Sequence, residues 1–165
     1  MIIFLQNILR FLVLVVVQVL VLNNIEFLGY INPYIYILFI FSLPVRTNKY
    51  LVLLLGFIIG FIIDMFTNTP GIHAFSTVLI AYLRSGVIRI FTSLEEGSNP
   101  SPSYYTFGVA AYIKYISTLV IIHTTSLFLL ETFTFTNFGF TFLKILLNSI
   151  VTILIIIGIQ SFNKR

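Results

Sequence analysis

From residue 11 to residue 22 the chain reads FLVLVVVQVLVL, with Gln18 as its only polar side chain. Such a stretch has no polar face to turn toward water, so it is not one side of a surface helix. With the mostly apolar residues before it, it reaches the roughly 20 residues that a helix needs to cross about 30 Å of hydrocarbon. Comparable stretches recur along the rest of the chain. Only nine Lys or Arg and five Asp or Glu occur in 165 residues, and the mean hydropathy is +1.09. Soluble domains are about one quarter charged, so this chain lacks the charge to clothe a soluble surface. A soluble enzyme, a disordered chain and a nucleic-acid-binding domain all fit that count poorly. A membrane protein fits it.

The apolar pattern predicts six spans, at about residues 3–22, 30–43, 50–66, 70–90, 107–131 and 140–162, in a single transmembrane domain covering residues 1–165. The expected fold is an all-α, polytopic integral membrane bundle. The second span is short and stops at Pro44. Its Asn32-Pro33 pair is expected in the first helical turn, where a missing N–H costs little. Residues 68–71 (NTPG) read as a turn, with Asn68 or Thr69 placed to cap a helix that Pro70 opens. Residues 92–103 (TSLEEGSNPSPS) form the one strongly polar stretch and read as a loop. The first span is expected to stay uncleaved, because a signal peptide needs a small-residue cleavage site and the first alanine in the chain is Ala74. With no cysteine there are no disulfides, thiolate metal sites or cysteine nucleophiles.

The charges agree with this layout. Starting from a cytoplasmic amino terminus, Arg10, then Arg46 and Lys49, then Arg84 and Arg89, then Lys164 and Arg165 fall on the inner side. The expected outer connections, residues 23–29, 67–71 and 132–139, carry no Lys or Arg. Six spans with both termini cytoplasmic satisfy the positive-inside rule. No internal repeat of the kind found in inverted-repeat transporters is visible.

Catalytic signatures are missing. There is no HExxH, no GxSxG, no P-loop and no spaced pair of Asp-rich motifs. His73 and His123 fall on different helices with no third ligand marked, so no metal or other cofactor is expected. Intramembrane chemistry needs several ionisable groups converging on one place. The expectation is therefore a protein that is not an enzyme.

The most informative stretch is residues 56–84 (GFIIGFIIDMFTNTPGIHAFSTVLIAYLR). Gly56, Gly60 and Asp64 recur every four residues and share one helix face. Glycines at that spacing let a second helix backbone come close, either within the chain or from a partner. Asp64 stands at the negative end of the third helix, which is unfavourable alone. The opening N–H groups of the fourth helix favour an anion there, and His73 is placed to pair with it. Asp64 thus reads as the pin of a hairpin, with a proton-relay role as the other reading. Gly71 is expected to supply the turn geometry that other residues avoid.

Arg84 and Arg89 are expected to snorkel to headgroups and orient the fourth span, with contact to anionic lipid or a cytoplasmic partner as the second reading. Lys114, between Tyr112 and Tyr115, suits an interfacial belt and is within reach of Glu95 and Glu96. Lys144 faces the outer leaflet. It either snorkels or forms an ion pair with Glu131 or Asp64. Asp64, His73, His123, Glu131 and Lys144 together make a candidate polar network, in which His123 reads as a hydrogen-bonded core residue.

In this stretch the sequence resembles the rod shape-determining protein MreD family. The residues that carry the resemblance are Gly56, Gly60 and Asp64, then Pro70, Gly71 and His73, then Ala81, Tyr82, Leu83 and Arg84. Further similarity lies in Arg10, in QVLVLN at residues 18–23, in Ile31-Asn32-Pro33-Tyr34, in Lys114-Tyr115 and around Glu131. The resemblance implies a scaffold of the cell-elongation machinery in the bacterial inner membrane, acting in cell shape and peptidoglycan synthesis. The implied partners are the membrane helix of MreC and, indirectly, MreB, RodA and its penicillin-binding protein, along with membrane lipids and a second copy in a homodimer. Nucleic acid is not among them. The family fold also resembles the substrate-binding subunits of energy-coupling-factor transporters. A small-molecule, vitamin-type binding subunit is thus the alternative, with an outer pocket lined by Asp64, His73, His123 and Lys144. Such subunits have an alanine-rich first helix that docks their coupling partner, whereas this first helix has no alanine.

Overall fold

The computed structural model describes residues 2–25, 30–93, 97–132 and 138–162. Seven α-helices appear among them: α1 (Ile2–Leu20), α2 (Leu38–Ser42), α3 (Lys49–Thr67), α4 (Ile72–Phe91), α5 (Tyr104–Phe107), α6 (Val109–Glu131) and α7 (Phe138–Phe162). Five of them, α1, α3, α4, α6 and α7, are long and apolar enough to cross a membrane. The chain is a multi-pass, all-helical membrane protein, and its spanning helices number five where six were expected.

The difference lies in residues 30–43. Residues 32–34 are irregular, Ile35–Ile37 is one turn of 3-10 helix, and α2 adds five residues. This segment nevertheless connects the two ends of the bundle. At its start, the Asn32 side chain donates to Asn23, just beyond α1. At its finish, the Val45 N–H donates to Pro100 and the Arg46 N–H to Asn99. An α-helix of 14 residues rises only about 21 Å. Extended residues at about 3.3 Å and 3-10 residues at about 2 Å bring the same length of chain close to 30 Å. The short second crossing is therefore made by unwinding.

Unwound backbone survives at membrane depth only inside protein. Ile31 and every residue of 33–43 are buried, with Tyr36, Ile37 and Ile40 fully enclosed. The segment thus forms the axis of the core, around which α1, α3, α4, α6 and α7 are arranged. Asn32-Pro33, expected in a helical turn, lies instead in the irregular part.

Helices α3 and α4 form the most closely packed pair. A Cβ built on Gly60 would lie 2.6 Å from Ala74 Cα and 2.7 Å from the His73 carbonyl oxygen. One on Gly56 would meet Ala81 Cβ at 3.1 Å. The glycine face is filled by α4 of the same chain, which removes it as a docking face for a partner helix.

The turn between them also departs from expectation. Asn68 ends α3 in the left-handed region at φ 53°, and Gly71, at φ 87°, precedes α4. Neither Asn68 nor Thr69 caps α4 directly. Further along, Gly108 at φ 79° separates α5 from α6, so the fifth span begins at Val109.

The described charges sort to the two ends. Arg46, Lys49 and Arg89 line one cavity at one end, and Arg10 lines another beside residues 100–103. We call this the basic end. Glu131 and Lys144 lie at the far end. Glu95, Glu96, Lys164 and Arg165 lie outside the described residues.

Candidate functional site

Three polar clusters occupy the bundle. The first caps α4. Asp64 Oδ1 accepts from the His73 N–H at 2.9 Å, Oδ2 accepts from the Ala74 N–H at 2.9 Å, and the Thr69 hydroxyl donates to Oδ1 at 3.0 Å. A carboxylate from one helix thereby satisfies the open N–H groups of the next, where the helix dipole also favours it. His73 meets Asp64 through its backbone; its ring turns elsewhere.

That ring belongs to the second cluster. The Tyr36 hydroxyl lies 3.0 Å from His73 Nδ1 and 2.8 Å from His123 Nε2, and Thr77 Oγ1 is 3.4 Å away while donating to the His73 carbonyl. Tyr34 adds edge-on ring contacts to both histidines. A phenol has a single proton, so it donates to one imidazole and accepts from the other. His123 Nδ1 is buried with no partner. A buried lone pair left unmatched is tolerated better than a buried N–H. This favours His123 donating from Nε2, Tyr36 donating to His73 Nδ1, and the remaining His73 proton residing on Nε2.

The third cluster secures the unwound crossing. Gln18 Oε1 accepts from the Ile35 N–H at 2.9 Å, and Gln18 Nε2 donates to the Pro33 carbonyl at 3.1 Å. From α7, Asn148 Oδ1 accepts from the Asn32 N–H at 2.7 Å, Asn148 Nδ2 donates to the Tyr30 carbonyl at 3.1 Å, and Thr152 Oγ1 accepts from the Tyr34 N–H at 3.1 Å. Side chains supply the bonds that a helix would have supplied to itself.

Arg84 does the same at the basic end. Expected at the headgroups, it is only 2% exposed, and its guanidinium donates to the Leu43 and Pro44 carbonyls. These are the carbonyls where the crossing leaves the core, and a planar, multi-donor head suits two acceptors at once. Arg89 is exposed, as is Lys114. Tyr112 and Tyr115, expected in an interfacial belt, are buried, and the Tyr115 hydroxyl donates to the Phe41 carbonyl at 3.2 Å. The proposed partners of Lys114, Glu95 and Glu96, lie outside the described residues.

The candidate network divides accordingly. Asp64, His73 and His123 are joined, the last two through Tyr36. Glu131 and Lys144 stay apart from them and from each other. Lys144 Nζ instead sits 5.3 Å from the Phe140 ring centroid and 5.8 Å from that of Phe128, a cation–π arrangement. Both residues line a cavity of about 350 Å³ at the far end, floored by His73 and Tyr34. Among the described residues no group of three or more His, Asp or Glu is arranged to hold a metal.

Tyr36, Asn148 and Thr152 were not singled out by sequence reasoning, and Gln18 was seen as an interruption and as part of the QVLVLN resemblance, without a structural role. The signal was present. Gln18 and Thr152 are single polar side chains in apolar runs, Asn148 stands beside Ser149 in another, and Asn148 and Thr152 are one helical turn apart on one face. Comparison with known protein families, curated proteins and solved structures finds no match for this chain. Fold and site together define a polytopic helical membrane protein organised around a buried, unwound crossing.

Proposed function

We propose that this protein is a non-enzymatic scaffold of the bacterial cell-elongation machinery, the role implied by its MreD-like residues. One observation carries the reading. Gly56, Gly60, Asp64, Gly71, His73 and Arg84, all within residues 56–84, serve one construction, the α3–α4 hairpin and its hold on the second crossing. A hairpin braced in this way is suited to presenting a fixed surface to neighbours. The positive-inside rule places the basic end in the cytoplasm.

The glycine face being filled, the partner helix must bind elsewhere. An apolar groove of about 590 Å³ runs between α1, α3 and Leu43-Pro44, lined by Phe11, Leu12, Phe39, Leu51 and Ile58. It is the surface at which we place the MreC membrane helix. The chain has no native thiol, so single cysteines at Leu12, Leu51 and Ile58 can be crosslinked in membranes after co-expression with MreC. Crosslinks from these three positions, with none from Leu146 on α7, are the expected result. MreC absent from mild-detergent pull-downs, or crosslinks only from α7, would refute the assignment.

A second reading, a small-molecule binding subunit of a transporter, is favoured by the polar cavity at the far end. Uptake assays in proteoliposomes that also contain an energy-coupling module test it.

A further inference from the structure

The far-end cavity brings together charged side chains from two helices. Glu131 on the last turn of α6 and Lys144 on α7 carry opposite charges into the lining of one space, yet no ion pair joins them. Two amides on the same wall are also incomplete. Asn23 Nδ2, a donor, and Asn32 Oδ1, an acceptor, are buried with no partner, although the other atom of each amide is bonded. A cation and an anion therefore face about 350 Å³ with no ion pair between them, beside two amides that each keep one buried atom without a partner. Charged side chains from two spans of a membrane protein that line one cavity without pairing are candidate ligand contacts, and a ligand carrying both complementary charges would engage the two together.

We infer that this cavity binds a small amphoteric molecule, with an anionic group at Lys144 and an ammonium at Glu131. Phe128 and Phe140 hold the Lys144 amine in place, while Tyr30, packed edge-on against Phe140 at 5.8 Å, closes that side. The volume accommodates an amino-acid-sized ligand. Two sources supply the same chemistry. One is a free amino acid. The other is the phosphoethanolamine headgroup of an aminophospholipid, entering from the leaflet at the far end. The inference gives ligand chemistry to the binding-subunit reading but does not need transport, and it is independent of the scaffold reading.

The test uses the full chain in lipid-free detergent and in nanodiscs. Calorimetric titration with the twenty amino acids and with phosphoethanolamine, beside acetate and ethylamine as single-charge controls, should give saturable binding of an amphoteric probe and none of the controls. Glu131→Gln and Lys144→Gln should each weaken that binding at least tenfold, with melting temperatures of the unliganded variants unchanged. Amino-acid binding in detergent identifies a free ligand. Binding of phosphoethanolamine alone, with retention of phosphatidylethanolamine over phosphatidylcholine on purification, identifies the headgroup. No saturable binding of any amphoteric probe or lipid, equal binding of a control, or binding indifferent to both variants would overturn the inference. Saturable binding without uptake into proteoliposomes that also contain an energy-coupling module would defeat the transport reading and leave this inference standing.

Discussion

Gln18 and Ile35 meet in the centre of the bundle, the side-chain carbonyl of the first accepting the backbone N–H of the second at 2.9 Å. Because Gln18 also donates to Pro33, one amide stands in for two helical hydrogen bonds. Gln18→Leu makes residues 11–22 wholly apolar and leaves both backbone groups unmatched. Each buried orphan costs about 1–3 kcal/mol, so the unfolding midpoint in detergent should fall markedly. A more stable Gln18→Leu protein would contradict the role given to this side chain.

Gly60 has no room for a methyl group. Gly60→Ala drives a Cβ into the α4 backbone and should cost about 1–3 kcal/mol through displacement of the two helices. Gly56→Ala should cost less, because its Cβ meets Ala81 Cβ at 3.1 Å and the Thr77 carbonyl oxygen at 3.3 Å, contacts looser than those at Gly60. Gly86→Ala has nothing within 4 Å and should be neutral or stabilising by up to about 1 kcal/mol through helix propensity. Thermal melts of the three variants give the ranking. Loss of partner binding by a Gly60 variant reports first on this hairpin, so it does not locate a partner surface.

Arg84→Leu removes the donors for the Leu43 and Pro44 carbonyls at the exit of the crossing. The variant should accumulate poorly in the membrane. Arg84→Lys should be intermediate, since an ammonium offers a compact point charge in place of a flat fork. Equal expression and equal melting of all three proteins would show that the carbonyls need no partner.

Tyr36→Phe deletes the hydroxyl that bridges the two histidine rings. His73 and His123 each lose a hydrogen bond while their ring contacts remain, for a cost of about 1–3 kcal/mol. A double-mutant cycle with His123→Leu should be clearly non-additive, because both changes remove the same bond. Additive losses in that cycle would place Tyr36 and His123 in separate interactions.

Asp64→Ala should cost about 1–2 kcal/mol as the loss of a helix cap. Asp64→Asn should cost less, since one amide oxygen still accepts from an α4 N–H. Normal stability with complete loss of function in Asp64→Asn would instead give the carboxylate a charge-dependent task.

Long apolar runs made the five spanning helices legible, because length and absence of charge are local properties of sequence. The second crossing was not, for a reason that concerns distant residues. Residues 30–43 look like a short helix, and nothing within them reveals that their N–H groups are taken by Gln18, Asn148 and Thr152. Arg84 was misjudged in the same way. A basic residue near a helix end ordinarily reaches for water, and only the folded chain shows that two carbonyls from another segment intercept it. The Asp64 position relative to α4 was readable because both lie in one tight hairpin.

The unwound crossing has a consequence for how the protein is made. A translocon can release an ordinary span into lipid as soon as it is helical, because its backbone needs nothing from elsewhere. Residues 30–43 are not self-sufficient. Gln18 is synthesised ahead of them, but the Asn32 N–H must wait for Asn148, 116 residues later. During that interval the nascent segment has to be sheltered by the insertion machinery or held provisionally as a helix, and it reaches its final form only when α7 arrives.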